Sequence, residues 1–146
     1  MGIAVITDAL EKLLLEGAIA TLASAPLTSA IVALYQNNVV LTDKSVKTDL
    51  SLATFDGYSP VTLGAWRAPY TDLAGDIVVS PSTPAAFSCT GQVTVNTVYG
   101  AAILDSSGNT LLAAQAFDTA FSPGTGQAWQ ITPELSVTGS LNACTC

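Results

Sequence analysis

Histidine is missing from this chain altogether. That removes every histidine-dependent catalytic triad, every histidine metal ligand, and the one side chain that ordinarily titrates near neutral pH. Charge is scarce as well. Charged residues make up 10% of the sequence, against about 25% in ordinary soluble domains. The cations number four, Lys12, Lys44, Lys47 and Arg67, and they are scattered. Phosphate recognition needs clustered cations, so nucleic-acid binding is not expected, and neither is attraction to an anionic membrane. No serine stands in a G-x-S-x-G elbow, and no G-x-x-x-x-G-K-[ST] phosphate loop exists. No catalytic, cofactor-binding or metal-ligating residue is therefore assigned, and enzymatic activity is not expected.

What remains is an apolar and weakly polar chain of 146 residues, 49% hydrophobic, with a net charge of −7. It is too apolar for disorder and has the length of one domain. Thr, Ser, Asn, Gln and Ala stand where charges would normally be. Such a surface suits broad contact with other protein, because the centres of protein interfaces are depleted in charge. Residues 17–42 carry no charge, which raises the question of a membrane span. Pro26 interrupts the stretch, Thr21, Ser24, Thr28 and Ser29 dilute it, and its flanks are Glu16 and Asp43. A helix end, a turn and a buried strand account for it better. Residues 1–12 lack the basic and then apolar order of a secretory signal. Cysteine occurs at 89, 144 and 146. An odd number makes no closed disulfide framework. Cys144 and Cys146 read either as reduced thiols of a tail or as an intersubunit disulfide.

The hydrophobic pattern divides the chain into an N-terminal helix over 8–24, a β-sandwich over 29–138 and a tail over 139–146. Asp8 and Glu11 have the spacing of a capping box, and Leu10, Leu13 and Leu14 then share one face. Pro26 sets the latest limit of that helix. Beyond it the pattern turns extended. Residues 29–35 form a strand that ends at the turn cluster Gln36-Asn37-Asn38, and 39–41 pair back as a short strand. Residues 44–55 alternate weakly, with Val46, Thr48, Leu50 and Leu52 on one side, or equally form an irregular loop punctuated by Asp43, Asp49 and Asp56. Asp56-Gly57-Tyr58 is a turn, 60–66 are extended, 67–75 are a loop, and 76–80 are a strand. Residues 86–95 alternate until Gly91, which marks a bulge or bend. The clearest unit is a hairpin, 98–104 and 110–117, around Asp105-Ser106-Ser107-Gly108-Asn109. Two further strands, 127–131 and 135–138, flank Pro133. One helix and about eight short strands with regular turns point to a mostly β, single-domain β-sandwich or jelly-roll-like fold.

Several residue groups invite a chemical reading. Asp105-x-Ser107-x-Asn109 opens like a calcium loop, but Thr110 and Ala116 occupy the places of its glycine and its glutamate. Turn chemistry suffices for it. Asp72 and Asp76 could be paired glycosidase carboxylates, but in a loop their spacing does not bring them together. Gly124-Thr125-Gly126 is a turn. Aromatic residues commonly fill sandwich cores, yet aromatics beside arginine also mark interfaces. Trp66, Arg67, Tyr70 and Trp129 are the candidate interface residues on that ground.

The series Leu34-Tyr35-Gln36-Asn37-Asn38, Phe55-Asp56-Gly57-Tyr58, Val61–Leu63 with Trp66, Phe87 with Thr90-Gly91, Val98-Tyr99-Gly100, Asp105–Gly108 with Leu111-Leu112-Ala113-Ala114 and Phe117, and Ile131-Thr132-Pro133 resembles a group of short structural proteins of tailed bacteriophages. The landmarks run from about Leu34 to Ser136, each short and degenerate. The resemblance implies a non-enzymatic virion component assembled in the host cytoplasm, and it carries over no catalytic residues. A capsid decoration or cement protein is the expectation. Its partners would be the major capsid protein or other virion proteins, and it would form a homo-oligomer, a trimer by preference, since cyclic assemblies suit a shell's local threefold positions. The alternative is a carbohydrate- or receptor-binding β-sandwich module of a tail fibre or surface adhesin.

Overall fold

Residues 31–35 and 98–104 are the most continuously apolar stretches of the β region, and they pair at the centre of the molecule. The computed structural model describes residues 5–7, 29–67, 70–71, 73, 77–91 and 96–137. Ten strands occur among them: β1 Val5–Ile6, β2 Ile31–Tyr35, β3 Val61–Thr62, β4 Tyr70–Thr71, β5 Ile77–Val79, β6 Ala85–Ser88, β7 Val98–Leu104, β8 Leu111–Phe121, β9 Ala128–Ile131 and β10 Leu135–Val137. All pairings are antiparallel. A five-stranded sheet runs β1-β8-β7-β2-β3, a three-stranded sheet β10-β5-β4, and β6 and β9 form a two-stranded ribbon.

The central strands are buried on both faces, which explains why β2 and β7 read as apolar runs instead of clean alternations. On the first face Val32 and Leu34 of β2 pack with Val98, Phe55, Leu63, Ala85, Phe87 and Cys89, and Trp129 and Ile131 of β9 close over them. Nearby, Ile103, Leu112 and Ala113 pack with Leu135, with Val79 against them. On the second face Ala33, Tyr35, Ala102, Leu104, Leu111 and Ala114 pack with Leu50, and Val39, Leu41 and Leu52 lie over them. The register of β7 on β8 breaks between Val98 and Gly100. A slip in register exchanges the faces of a strand. Val98 accordingly joins the first face and its neighbour Tyr99 the second.

The edges of β2 are closed by side chains as well as strands. β3 covers Ile31 and Val32. Where β3 ends, the Tyr58 hydroxyl takes over: Leu34 N–H donates to it at 2.9 Å. Leu34 O accepts from Ala53 N–H at 2.8 Å, and Gln36 N–H donates to Ser51 O at 2.7 Å. The Asn37 side chain imitates a further pair of backbone groups. Its Nδ2 donates to Asp49 O and its Oδ1 accepts from Ser51 N–H, each at 2.8 Å.

The expected hairpin is present, with β7 and β8 joined through the turn at Asp105, and Gly108 adopts φ 71°. Three expectations change, and the open choice over 44–55 falls to the irregular alternative. No strand forms at 39–41; that segment is extended, and Val39 and Leu41 cover the second face without pairing. The alternation over 44–55 is broken by a 3-10 turn, Lys47–Asp49, so Leu50 is buried while Val46 is exposed. The loop 67–75 contains strand β4, paired with β5. The strand begun at 86 is β6, which ends at Ser88.

Strand β1 was not expected at all. It pairs with Ala113 and Ala114, and the buried Thr7 follows it. The Thr7 hydroxyl reaches Leu111 O at 2.7 Å and Leu112 O at 2.9 Å, beside the register break between Ile103 and Leu104. The helix expected over 8–24 and the tail 139–146, including Cys144 and Cys146, lie outside the described residues. Among the described residues the Lys47–Asp49 turn is the one helical element.

Candidate functional site

The two tryptophans offered as interface residues turn inward. Trp129 of β9 is half-buried within a layer of rings. Its centroid lies 5.6 Å from Phe55, 6.4 Å from Phe87 and 5.3 Å from Phe121, the last pair edge to face. Phe55 and Tyr58 are 5.0 Å apart, and Tyr58 stacks on Phe87 at 6.1 Å. These are the spacings of packed aromatic pairs. Trp66 is half-buried too, against both clusters of the first face. Its strand segment is tied to residues 80–82: Arg67 N–H donates to Ser80 O at 2.8 Å and Ser82 N–H to Ala65 O at 2.9 Å.

The turn Asp56-Gly57 anchors the aromatic layer. Gly57 adopts φ 85°, which favours glycine. Thr90 N–H donates to Asp56 O at 2.9 Å. The Asp56 carboxylate lies directly over Gly91, where a Cβ would overlap it. Two landmarks far apart in sequence, Phe55-Asp56-Gly57-Tyr58 and Phe87 with Thr90-Gly91, thus form one packing unit. The turn at Gly124-Thr125-Gly126 is stapled to the same strand end, with Gly126 N–H donating to Cys89 O at 2.8 Å. Its backbone donor is therefore committed to the fold.

The other two interface residues face outward. Arg67 is exposed, and Tyr70 on β4 is 45% exposed. Leu73, at the turn between β4 and β5, is fully exposed. Isolated exposed leucines need no explanation, but this one adjoins an exposed tyrosine at the outer strand of the three-stranded sheet. Sequence reasoning missed Leu73 because it lay in what read as a polar loop.

It also missed a cleft of about 180 Å³ beside β8. Ala101, Phe117, Ile131 and Pro133 contribute its accessible apolar part, over the buried Val32, Ile103 and Ala113, and the exposed acids Asp118 and Glu134 stand among its lining residues. The connection between β9 and β10, Thr132 to Glu134, forms one wall. No local pattern announces it, because its residues come from four separate strands and a loop.

Asp105 is a turn residue in the structure. Its carboxylate accepts from Asn109 N–H at 2.9 Å, Thr110 N–H at 3.0 Å and Ser107 Oγ at 2.7 Å. Burial pushes its pKa up, but these hydrogen bonds outweigh burial and hold the carboxyl below its ordinary value. Asp72 and Asp76, considered as paired acids, lie outside the described residues. Two tyrosines lie at β2, Tyr35 as its last residue and Tyr58 hydrogen-bonded to it. Burial raises the pKa of Tyr58, partly offset by its hydrogen bond to Leu34. Burial alone pushes Tyr35 up to about 12, and its hydroxyl has no hydrogen-bond partner.

No family model, no curated protein and no solved structure matches this chain.

Proposed function

We propose that this chain is a non-enzymatic structural protein of a tailed-phage virion, a decoration or cement protein that stabilises the capsid through contacts with the major capsid protein. Within that reading the antiparallel sheets form a β-sandwich or jelly-roll-like body, with the β6–β9 ribbon and the β5–β10 pair as the second layer over the central sheet. The observation that carries the reading is the surface. It is poor in charge and presents Tyr70 and Leu73 outward at the rim of a sheet. A surface of that kind loses little on desolvation when it lies against protein. The net acidity keeps free subunits soluble before assembly.

The test is cosedimentation with shells assembled from the major capsid protein of the same genome. Saturable binding to assembled shells, with none to unassembled subunits, is the expected result. Equal binding to both, or to neither, overturns it. The cleft beside β8 favours one second reading, a carbohydrate- or receptor-binding module. That reading expects affinity on a glycan panel that is lost in Ala101→Phe, which would fill the cleft. Trp129→Ala is no test of it, because Trp129 belongs to the aromatic packing.

A further inference from the structure

The lining of the cleft beside β8 narrows what it can hold. Its accessible walls are apolar, at Ala101, Phe117, Ile131 and Pro133, and among the described residues every charged group that lines it is an acid, Asp118 and Glu134. The fold fixes these walls. Between the pairs Gly100↔Ala116 and Val98↔Phe121, β7 supplies only Tyr99 while β8 supplies residues 117–120. Such a bulge re-aims side chains, and Phe117 and Asp118 of the bulge both line the cleft. The Phe117 ring stacks on Phe121 at 5.9 Å, so its side of the cleft is preformed. The β9–β10 connection, which carries Pro133 and Glu134, is held at each end, by Ile131 paired with Ala85 and by the buried Leu135 paired with Val79. We propose that the cleft beside β8 binds a small organic cation, an ammonium group on an apolar body about the size of a benzene ring. The body lies between the apolar walls, and the ammonium pairs at the rim with Asp118 or Glu134.

Size, polarity and charge each select that class. An apolar cavity of about 150 Å³ holds a benzene molecule, so about 180 Å³ admits one ring and little more. Pro133 brings no backbone N–H to its wall, and a ligand rich in hydroxyl groups would leave some of them unpaired there, at a cost. An anion meets acids and no cation, in a chain with 4 cations against 11 acids. A bare metal ion is not chelated either, because no group of three or more acidic or cysteine side chains that could hold one occurs among the described residues. An organic cation needs no chelation. Its apolar body supplies the burial, and one rim carboxylate supplies a charge-assisted hydrogen bond. The proposal does not rest on the decoration reading. The ligand binds the free subunit, so either can fail without the other.

The experiment is a titration of the full chain with benzylammonium chloride, followed residue by residue by NMR. Benzyl alcohol and benzoate, neutral and anionic molecules of similar size, are the controls. Benzylammonium should bind with a dissociation constant on the order of 1 mM, the scale for so small a ligand, and should shift the signals of Ala101, Phe117 and Ile131. Benzyl alcohol should bind at least about threefold more weakly, the scale of one exposed charge pair, and benzoate not measurably. Added salt should weaken benzylammonium and leave benzyl alcohol unchanged. Asp118→Asn and Glu134→Gln change exposed positions, and at least one of them should weaken benzylammonium by about threefold while leaving benzyl alcohol as it was. Ala101→Phe, which fills the cleft, should abolish binding of both. If that chain does not fold, the three ligands on wild type still decide. No shift at the cleft residues at benzylammonium concentrations well above the expected constant overturns the proposal. So does benzyl alcohol or benzoate that binds as tightly as benzylammonium, or an affinity indifferent to both carboxylate variants.

Discussion

Two tyrosines meet at strand β2, Tyr35 as its last residue and Tyr58 beside it, and the two hydroxyls are treated differently. Tyr58 belongs to the first face, where its ring packs between Phe55 and Phe87 and its hydroxyl accepts from Leu34 N–H. Tyr35 belongs to the second face, fully buried, with its ring over Gly100 and its hydroxyl without a partner. The faces differ in the same sense. The first is built of large rings, and the second of Ala33, Ala102, Ala114 and three leucines around the buried Tyr35, with Tyr99 packed against them. On the first face a polar atom completes the backbone ladder. On the second the same kind of atom is merely tolerated. Bulk on one face and close approach on the other are alternative ways to fill the space beside a sheet, and they fail differently.

Removing bulk from the first face should have the largest effect. Phe87 is buried among Tyr58, Phe55 and Trp129, and Phe87→Ala should cost about 3–5 kcal/mol in urea unfolding. Adding bulk to the second face comes next. A Cβ at Gly100 would overlap the Tyr35 ring and the Gln115 carbonyl, so Gly100→Ala should cost about 3 kcal/mol by the same measurement. If Gly100→Ala is silent, the close approach on the second face is not real.

Alkaline pH probes the tyrosines directly. Tyr35 sits at about 12 in the folded chain against an ordinary 10.0. Below pH 10 it is neutral in both states. Between 10 and 12 the unfolded chain ionises first, so stability is lost as pH rises through that window, by on the order of 2 kcal/mol. Tyr35→Phe should lose part of that slope. At neutral pH the pair of phenylalanine variants separates the faces more finely. Tyr58→Phe leaves Leu34 N–H without its partner and should cost about 1–2 kcal/mol, whereas Tyr35→Phe removes an orphaned hydroxyl and should be neutral or stabilising. Equal effects would erase the distinction drawn here.

The smallest expected effect lies at the β7–β8 turn. Asp105 has a lowered pKa in the folded state, so its contribution is present above the ordinary carboxyl value and lost as pH falls through the folded one. Because the side chain is only partly buried, in a surface turn, Asp105→Ala should cost less than about 1 kcal/mol. The acid limb of its stability profile should be flatter than that of wild type.

That hairpin was legible in the sequence because its turn residues satisfy one another locally. β2 was legible for a similar reason, as an apolar run closed by Gln36-Asn37-Asn38. The cover of the second face was not. Val39 and Leu41 looked like a strand, but Asn37 donates to Asp49 O and accepts from Ser51 N–H, and the Lys47–Asp49 turn then sets which side chains reach inward. Two paired residues, β1, offer no period to detect; their place depends on β8 and on Thr7. Among the candidate interface residues, Arg67 and Tyr70 are exposed. Trp129 is half-buried among the rings of Phe55, Phe87 and Phe121, and Trp66 is half-buried against both clusters of the first face. The exposure of Leu73 and the cleft beside β8 came from the fold alone, since nothing local distinguishes an exposed leucine from a covered one.

The cement reading makes a claim about the shell as well as about this chain. Differential scanning calorimetry of assembled shells, with and without a saturating amount of the protein, tests it most directly. A ligand that binds the assembled state and not its dissociated parts must stabilise the assembly. The account predicts a higher disruption temperature when the protein is bound. An unchanged or lowered disruption temperature, with the protein demonstrably on the shell, would contradict it.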